Sequence, residues 1–121
     1  MRKLLVVDDE KDICDFVKNF FQERGYNVLT VLNGEDALKV VRDEKPDLVL
    51  LDIKMAGMDG IATLKHLKEM DRNQKVIMVT ALEDQDKMDE ASRLGACDYI
   101  TKPLMLDYLE NAVEENLGMA L

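Results

Sequence analysis

Short, unbroken apolar runs recur along the chain at Leu4 to Val7, Val28 to Leu32, Leu48 to Leu51 and Val76 to Val79, with a weaker one at Asp98-Tyr99-Ile100. A strand wetted on one side alternates apolar and polar positions. These runs do not, so they predict strands covered on both faces, the pattern of a parallel sheet. Between them, apolar residues return at helical spacing. Ile13, Phe16, Val17, Phe20 and Phe21 mark a first helix that ends at Gly25, where a left-handed cap is expected. Asn33-Gly34, then Glu35 and Asp36, opens a second. Its first-turn acids suit the positive end of the helix dipole, Ala37, Leu38 and Val41 face inward, and Pro46 stops it. A third starts at about Gly60 with Ile61, Leu64 and Leu67 inward, and a fourth at about Glu83 with Met88, Ala91 and Leu94 before Gly95. The last holds Leu106, Leu109, Val113 and Leu117.

Strand and helix therefore alternate five times with short connections. Right-handed crossovers then require a doubly wound α/β architecture, a parallel five-stranded sheet with helices on both faces. No repeat, linker or low-complexity stretch interrupts it, and 121 residues with 47% hydrophobic content suit one domain over 1–121 with one core.

Charge narrows the function. Twenty-five acidic residues against sixteen basic ones give −9, which repels a phosphate backbone and argues against nucleic-acid binding. The opening run is too short for a secretion signal and no segment is long enough to span a bilayer, so a cytoplasmic protein away from membranes is expected. Cys14 and Cys97 lack the spacing of a zinc site or disulfide framework and are expected as reduced core thiols. His66 is expected at the surface, and the eight methionines as packing.

In a parallel sheet all strands end at one edge, so residues that follow the apolar runs meet in space. These are Asp8, Asp9 and Glu10 after the first run, Asp52 after the third, Thr80 after the fourth, and Lys102-Pro103 just beyond the fifth. Crowded carboxylates raise one another's pKa unless a cation neutralises them. Mg2+ (or Mn2+), which takes oxygen ligands and keeps several waters, suits one or two carboxylates plus a phosphoryl oxygen, and no neighbouring His or Cys favours zinc. With the ion in place, one carboxylate can attack a phosphoryl group while metal and lysine neutralise the transferring oxygens and a hydroxyl bonds the third.

In this order and over essentially the whole chain, the motifs resemble the bacterial response regulator receiver family, which is (βα)5 and flavodoxin-like with strand order 2-1-3-4-5. The resemblance implies Asp9 as a direct metal ligand, Asp8 acting mainly through water, Asp52 as phosphoacceptor, and the backbone carbonyl of Lys54 completing the protein's metal ligands. It implies Thr80-Ala81 as the hydroxyl switch pair, Lys102-Pro103 as the lysine followed by a cis proline, and Tyr99 as the aromatic that turns inward when Thr80 engages phosphate. Lys54 and Leu82 match the two variable positions that tune acyl-phosphate hydrolysis, and apolar Leu82 cannot orient water, so a long-lived acyl phosphate is expected. Ala56 stands where the family has proline, which changes loop stiffness and not chemistry.

The implied function is to accept a phosphoryl group from phosphohistidine on a sensor histidine kinase or a histidine phosphotransfer protein, in a two-component system or phosphorelay. A population shift then passes the signal to a downstream protein or output domain, by a monomer or a phosphorylation-dependent dimer. Family precedent points to the first helix and the loop after Lys102 for docking, with Cys14, Asp15, Lys18 and Leu104 as contacts. The resemblance implies a signalling domain that assists its own phosphorylation and dephosphorylation, not an enzyme.

Structural explanations exist for each residue taken singly. Asp9 or Asp52 alone suits a helix cap, Thr80 with Glu83 fits a capping box, Lys102 a solvated lysine, Pro103 a helix start and Tyr99 a half-buried strand aromatic. Their joint arrangement lowers those odds. A haloacid-type phosphatase would place its nucleophile after the first strand in D-x-D-x-[TV], which Asp8-Asp9-Glu10-Lys11-Asp12 does not match. An unphosphorylated interaction module would not need Asp9, Asp52, Thr80 and Lys102 together, and a flavin or nucleotide carrier would not have an acidic first loop.

Overall fold

The computed structural model describes residues 2–81 and 85–118. The ten elements are β1 (Lys3–Val7), α1 (Lys11–Gln22), β2 (Asn27–Val31), α2 (Gly34–Glu44), β3 (Leu48–Leu51), α3 (Gly60–Met70), β4 (Val76–Thr80), α4 (Gln85–Arg93), β5 (Asp98–Thr101) and α5 (Leu106–Asn116). All strand pairs are parallel and the sheet order is β2-β1-β3-β4-β5, as expected.

Alternation along the strands divides the core in two. Leu4, Val6, Leu48, Leu50, Ile77, Val79 and Ile100 pack against α1 and α5 through Val17, Phe21, Leu109 and Val113. Leu5, Val7, Val49, Leu51, Val76 and Met78 face α2, α3 and α4 through Ala37, Val41, Leu64, Leu67 and Ala91. Both faces of the sheet are thus buried, which is why its sequence reads as continuous apolar runs.

Helix ends follow local chemistry. The Asn33 side chain accepts from the Asp36 N–H at 2.8 Å and the Asp59 side chain from the Ala62 N–H at 2.8 Å, capping α2 and α3. Gly25 (φ +88°) and Gly95 (φ +100°) take the left-handed turns after α1 and α4, as their positions predicted. After α2 the left-handed residue is Lys45 (φ 48°), one position before Pro46.

Two expectations shift, and a third falls outside the described residues. β2 starts and ends one residue earlier, because Asn27 pairs with Lys3 and its N–H bonds the Arg2 carbonyl at 2.8 Å, which leaves Leu32 exposed beyond the sheet. α4 begins at Gln85 within the described residues; Glu83, its expected start and the capping-box partner of Thr80, lies outside them, as does Leu82. Cys97 is exposed and not a core thiol: it sits where the chain enters edge strand β5, with its N–H on the Val76 carbonyl and its side chain toward solvent. Cys14 is buried and His66 is at the surface, both as expected.

Candidate functional site

The parallel register delivers the site. Val7 pairs with Leu51, and the Asp52 N–H bonds the Val7 carbonyl at 3.0 Å, so Asp8 and Asp52 leave the sheet side by side. Thr80 pairs with Thr101, and the Lys102 N–H bonds the Thr80 carbonyl at 2.8 Å, bringing Lys102 to the same edge. Asp8, Asp52 and Lys102 continue the alternation of Val6, Leu50 and Ile100 on the α1–α5 side of the sheet, whereas Thr80 continues Met78 on the other.

Lys102 Nζ donates to Asp8 Oδ2 at 2.7 Å and to Asp52 Oδ2 at 3.2 Å, joining residues 94 and 50 positions apart. Asp8 and Asp52 are buried, at 3% and 5% exposure. The second oxygen of each is also held: Asp8 Oδ1 accepts from the Glu10 N–H at 2.9 Å and Asp52 Oδ1 from the Lys54 N–H at 3.3 Å. Burial pushes the Asp52 carboxyl above its ordinary range; Lys102 offsets part of this, and the neighbouring Asp8 charge adds to it. For Lys102, burial alone would lower the pKa, but the bond to Asp8 and the charge of Asp52 outweigh it, and the ammonium ends raised.

Asp9 and Glu10 are exposed beside this pair, and carboxylate oxygens of Asp8, Asp9 and Glu10 lie within 4.8 Å of one another. Asp8, Asp9, Glu10 and Asp52 thus gather carboxylates at this edge, and Lys102 contacts two of them, Asp8 and Asp52. A donor set of oxygens with surplus negative charge suits a hard divalent cation. The Cys14 thiol does not compete, since it is buried and donates to the Asp8 carbonyl at 3.3 Å.

The other sequence-predicted residues fall around this centre. Thr80 is fully buried at the tip of β4, and Ala81 follows it, exposed. Tyr99 is half-buried in β5 against the α2–α4 side, and the Lys102-Pro103 bond is cis as expected. The Lys54 side chain points to solvent. One docking residue requires correction: Cys14, at 1% exposure, faces the core beneath Asp8 and offers no surface, because it lies on the inner stripe of α1 with Val17 and Phe21. The exposed neighbour is Phe16, at 49%, with Asp15 exposed and Lys18 and Leu104 partly so.

Two contacts had no sequence signal. The Ala56 N–H donates to Asp9 Oδ2 at 3.4 Å and the Met58 N–H to Glu35 Oε1 at 3.3 Å, tying the β3–α3 loop to the β1–α1 turn and to α2. Glu35 reads from the sequence as an ordinary first-turn acid, 23 residues from its partner.

Comparison with known proteins agrees with this geometry. Residues 4–114 match the model of the response regulator receiver domain. The chain is 42% identical over 117 residues to sporulation initiation phosphotransferase F of Bacillus subtilis, covering 97% of this chain and 94% of that protein. It is 41% identical to the transcriptional regulatory protein ZraR of Salmonella typhimurium over 95% of this chain but 26% of that longer regulator. The response regulator TrrA of Thermotoga maritima, crystallised in complex with Mg(2+)-BeF, superposes with a TM-score of 0.87 at 35% identity, covering 96% of this chain and 99% of that one.

Proposed function

Given that the chain belongs to the response regulator receiver domain family, we propose that Asp52 is the residue on which it accepts its phosphoryl group, with Lys102, Asp8 and Asp9 as the supporting machinery. The observation that carries this is the shared ammonium: Lys102 bridges Asp8 and Asp52 at 2.7 and 3.2 Å. An Asp52 oxygen attacks phosphorus, the new O–P bond forms as the P–N bond to the donor imidazole breaks, and the imidazole leaves as a neutral ring once protonated. Lys102 sits where it can follow the charge from the carboxylate to the phosphoryl oxygens. The carboxylates of Asp8, Asp9 and Asp52 with the Lys54 carbonyl suit Mg2+ (or Mn2+), Asp8 acting through water, and the bound ion would supply neutralisation and orientation of the phosphoryl oxygens.

Thr80 and Tyr99 are the proposed readers of the phosphorylated state. Thr80 ends the strand next to Asp52's own, and Tyr99 lies on the strand beyond, so a hydroxyl drawn toward a phosphoryl oxygen changes the packing that Tyr99 meets. Ala81 and Pro103 shape the backbone on either side. Leu82 and Lys54 set the lifetime: wild-type phosphoprotein should decay more slowly than Leu82→Glu.

The donor is a histidine kinase or histidine phosphotransfer protein, met in the cytoplasm by a single receiver domain over 1–121 through Asp15, Phe16, Lys18 and Leu104. Lys18→Glu and Leu104→Asp should slow transfer from such a donor while leaving phosphorylation by acetyl phosphate intact. The decisive experiment is intact mass after incubation with acetyl phosphate and Mg2+. Wild type should gain one phosphoryl group and Asp52→Asn none; equal gain by both would sink the assignment.

A further inference from the structure

The loop between β3 and α3 carries an irregularity that the phosphoacceptor reading leaves unused. Its fixed ends are clear: Asp59 caps α3, and the Gly60 N–H bonds the Ile53 carbonyl at 2.7 Å. Between them, Gly57 turns through φ +78°. With alanine at position 56 the backbone keeps an N–H that a proline would lack, and the loop loses the stiffness that proline confers.

Carboxylates grip this stretch from both sides. Asp9 takes the Ala56 N–H at 3.4 Å, Glu35 takes the Met58 N–H at 3.3 Å, and both Glu35 oxygens lie 3.8 Å from where a Gly57 Cβ would stand. Glu35 therefore lies across the turn itself. Its own base is firmly set. Asn33 caps α2 two residues earlier, and Gly34 is seated so tightly on α3 that a Cβ there would fall 2.2 Å from Thr63 Oγ1.

We propose that Glu35 is a positioning residue for the cation site: by holding the Met58 N–H across the Gly57 turn it fixes the path of the loop that runs from Lys54 and, through the Ala56 N–H that Asp9 accepts, the orientation of Asp9. This rests on the cation reading given under Proposed function. Asp9 has two tasks, tether and ligand, and when it turns toward a cation the loop depends more on Glu35. The hydrogen bond is what matters, not the charge, since the bond sets where the loop lies.

The test uses Mg2+ alone, titrated by calorimetry into the whole chain, with amide shifts of Ala56 and Met58 recorded before metal is added. Glu35→Ala should displace the Met58 amide resonance and weaken Mg2+ binding roughly three- to tenfold, at or below the range typical when a residue that orients a metal ligand is removed. Glu35→Gln, which loses the charge but keeps an accepting oxygen, should bind Mg2+ like wild type. Equal weakening in both variants, or none in either, overturns the proposal and leaves the phosphoacceptor site untouched. Absence of Mg2+ binding by wild type strikes the cation reading itself and the proposal with it.

Discussion

The two edges of this sheet use lysine in opposite ways. At the carboxyl-end edge, Lys102 is mostly buried and shared between Asp8 and Asp52, which are themselves out of water. At the amino-end edge, where every helix finishes, lysines serve backbone carbonyls. Lys3 Nζ reaches the Glu44 carbonyl at 3.0 Å and, in an exposed ion pair, its carboxylate at 3.2 Å; Lys68 Nζ reaches the Gln74 and Arg72 carbonyls at 2.6 and 3.4 Å, and Lys75 Nζ the Asn116 carbonyl. Arg24 does the same for Phe20 at 3.2 Å. Neither α1 nor α5 has a basic residue in its own last turn, so Arg24 and Lys75 supply the positive charge that the helix dipole and its unpaired carbonyls favour there. One edge concentrates charge at a cost in stability and gains chemistry; the other spreads it and gains stability.

The sharpest break of that contrast is Lys102→Met. It leaves two buried carboxylates without their cation, the case in which removing one partner of a buried pair costs about 3–5 kcal/mol. Urea titration of the metal-free protein should register a loss of that order, partly restored by Mg2+, together with failure to gain a phosphoryl group. Unchanged stability would mean that the Asp8–Lys102–Asp52 bridge is not formed in solution.

Asp52→Asn should move stability the other way. Burial raises the Asp52 pKa, so the folded state holds that proton more tightly than the unfolded chain does. The advantage is present below the ordinary carboxylate value and is lost as pH rises through the raised one, which leaves ionised Asp52 a liability at neutral pH. Metal-free Asp52→Asn should therefore melt above wild type near neutrality, with the gap closing in acid. A lower melting temperature at neutral pH would show that the Lys102 contact outweighs burial.

Smaller effects belong to the amino-end edge. Lys3→Met and Lys75→Met each remove a hydrogen bond to a helix-end carbonyl and should cost about 0.5–1.5 kcal/mol. Phosphorylation by acetyl phosphate should be unaffected, and a change in it would erase the division between the two edges.

The carboxyl-end edge was far more legible than its opposite. Asp8, Asp9, Asp52, Thr80 and Lys102 each follow an apolar run, so knowing that the strands are parallel is enough to bring them together. Nothing comparable announces Lys3 or Lys75, because a lysine near a strand start looks the same whether it caps a helix 41 residues away or only meets water. Glu35 escaped for a related reason: its position at a helix start explained it completely, and its reach to Met58 depends on a loop path that periodicity does not encode. Cys14 was misplaced as a docking contact because the inner stripe of α1 includes it, while Phe16, also apolar, lies partly outside that stripe.

The two cysteines give the mildest probe of the same comparison, one near each edge. Cys97 precedes β5 at the amino-end edge and is exposed; Cys14 lies beneath Asp8 at the other and is buried. Burial pushes the Cys14 thiol up to about 11, and the adjacent Asp8 charge adds to the shift. Only thiolate reacts, so at about pH 8 iodoacetamide should modify one site per folded chain, Cys97, as peptide mapping would show. Since the folded pKa of Cys14 lies above the unfolded one, its neutral form supports the fold below the ordinary thiol value, and that support is lost as pH rises toward about 11. Cys14 labelling should accordingly appear on unfolding or in strong base. Lys102→Met removes a cation that lowers the Cys14 pKa, so in mild base it should slow Cys14 labelling of the folded chain, whereas Lys75→Met should not. Faster labelling in both variants, more so in the less stable Lys102→Met, would mean that the thiol reports general loosening of the fold and nothing particular to the carboxyl-end edge.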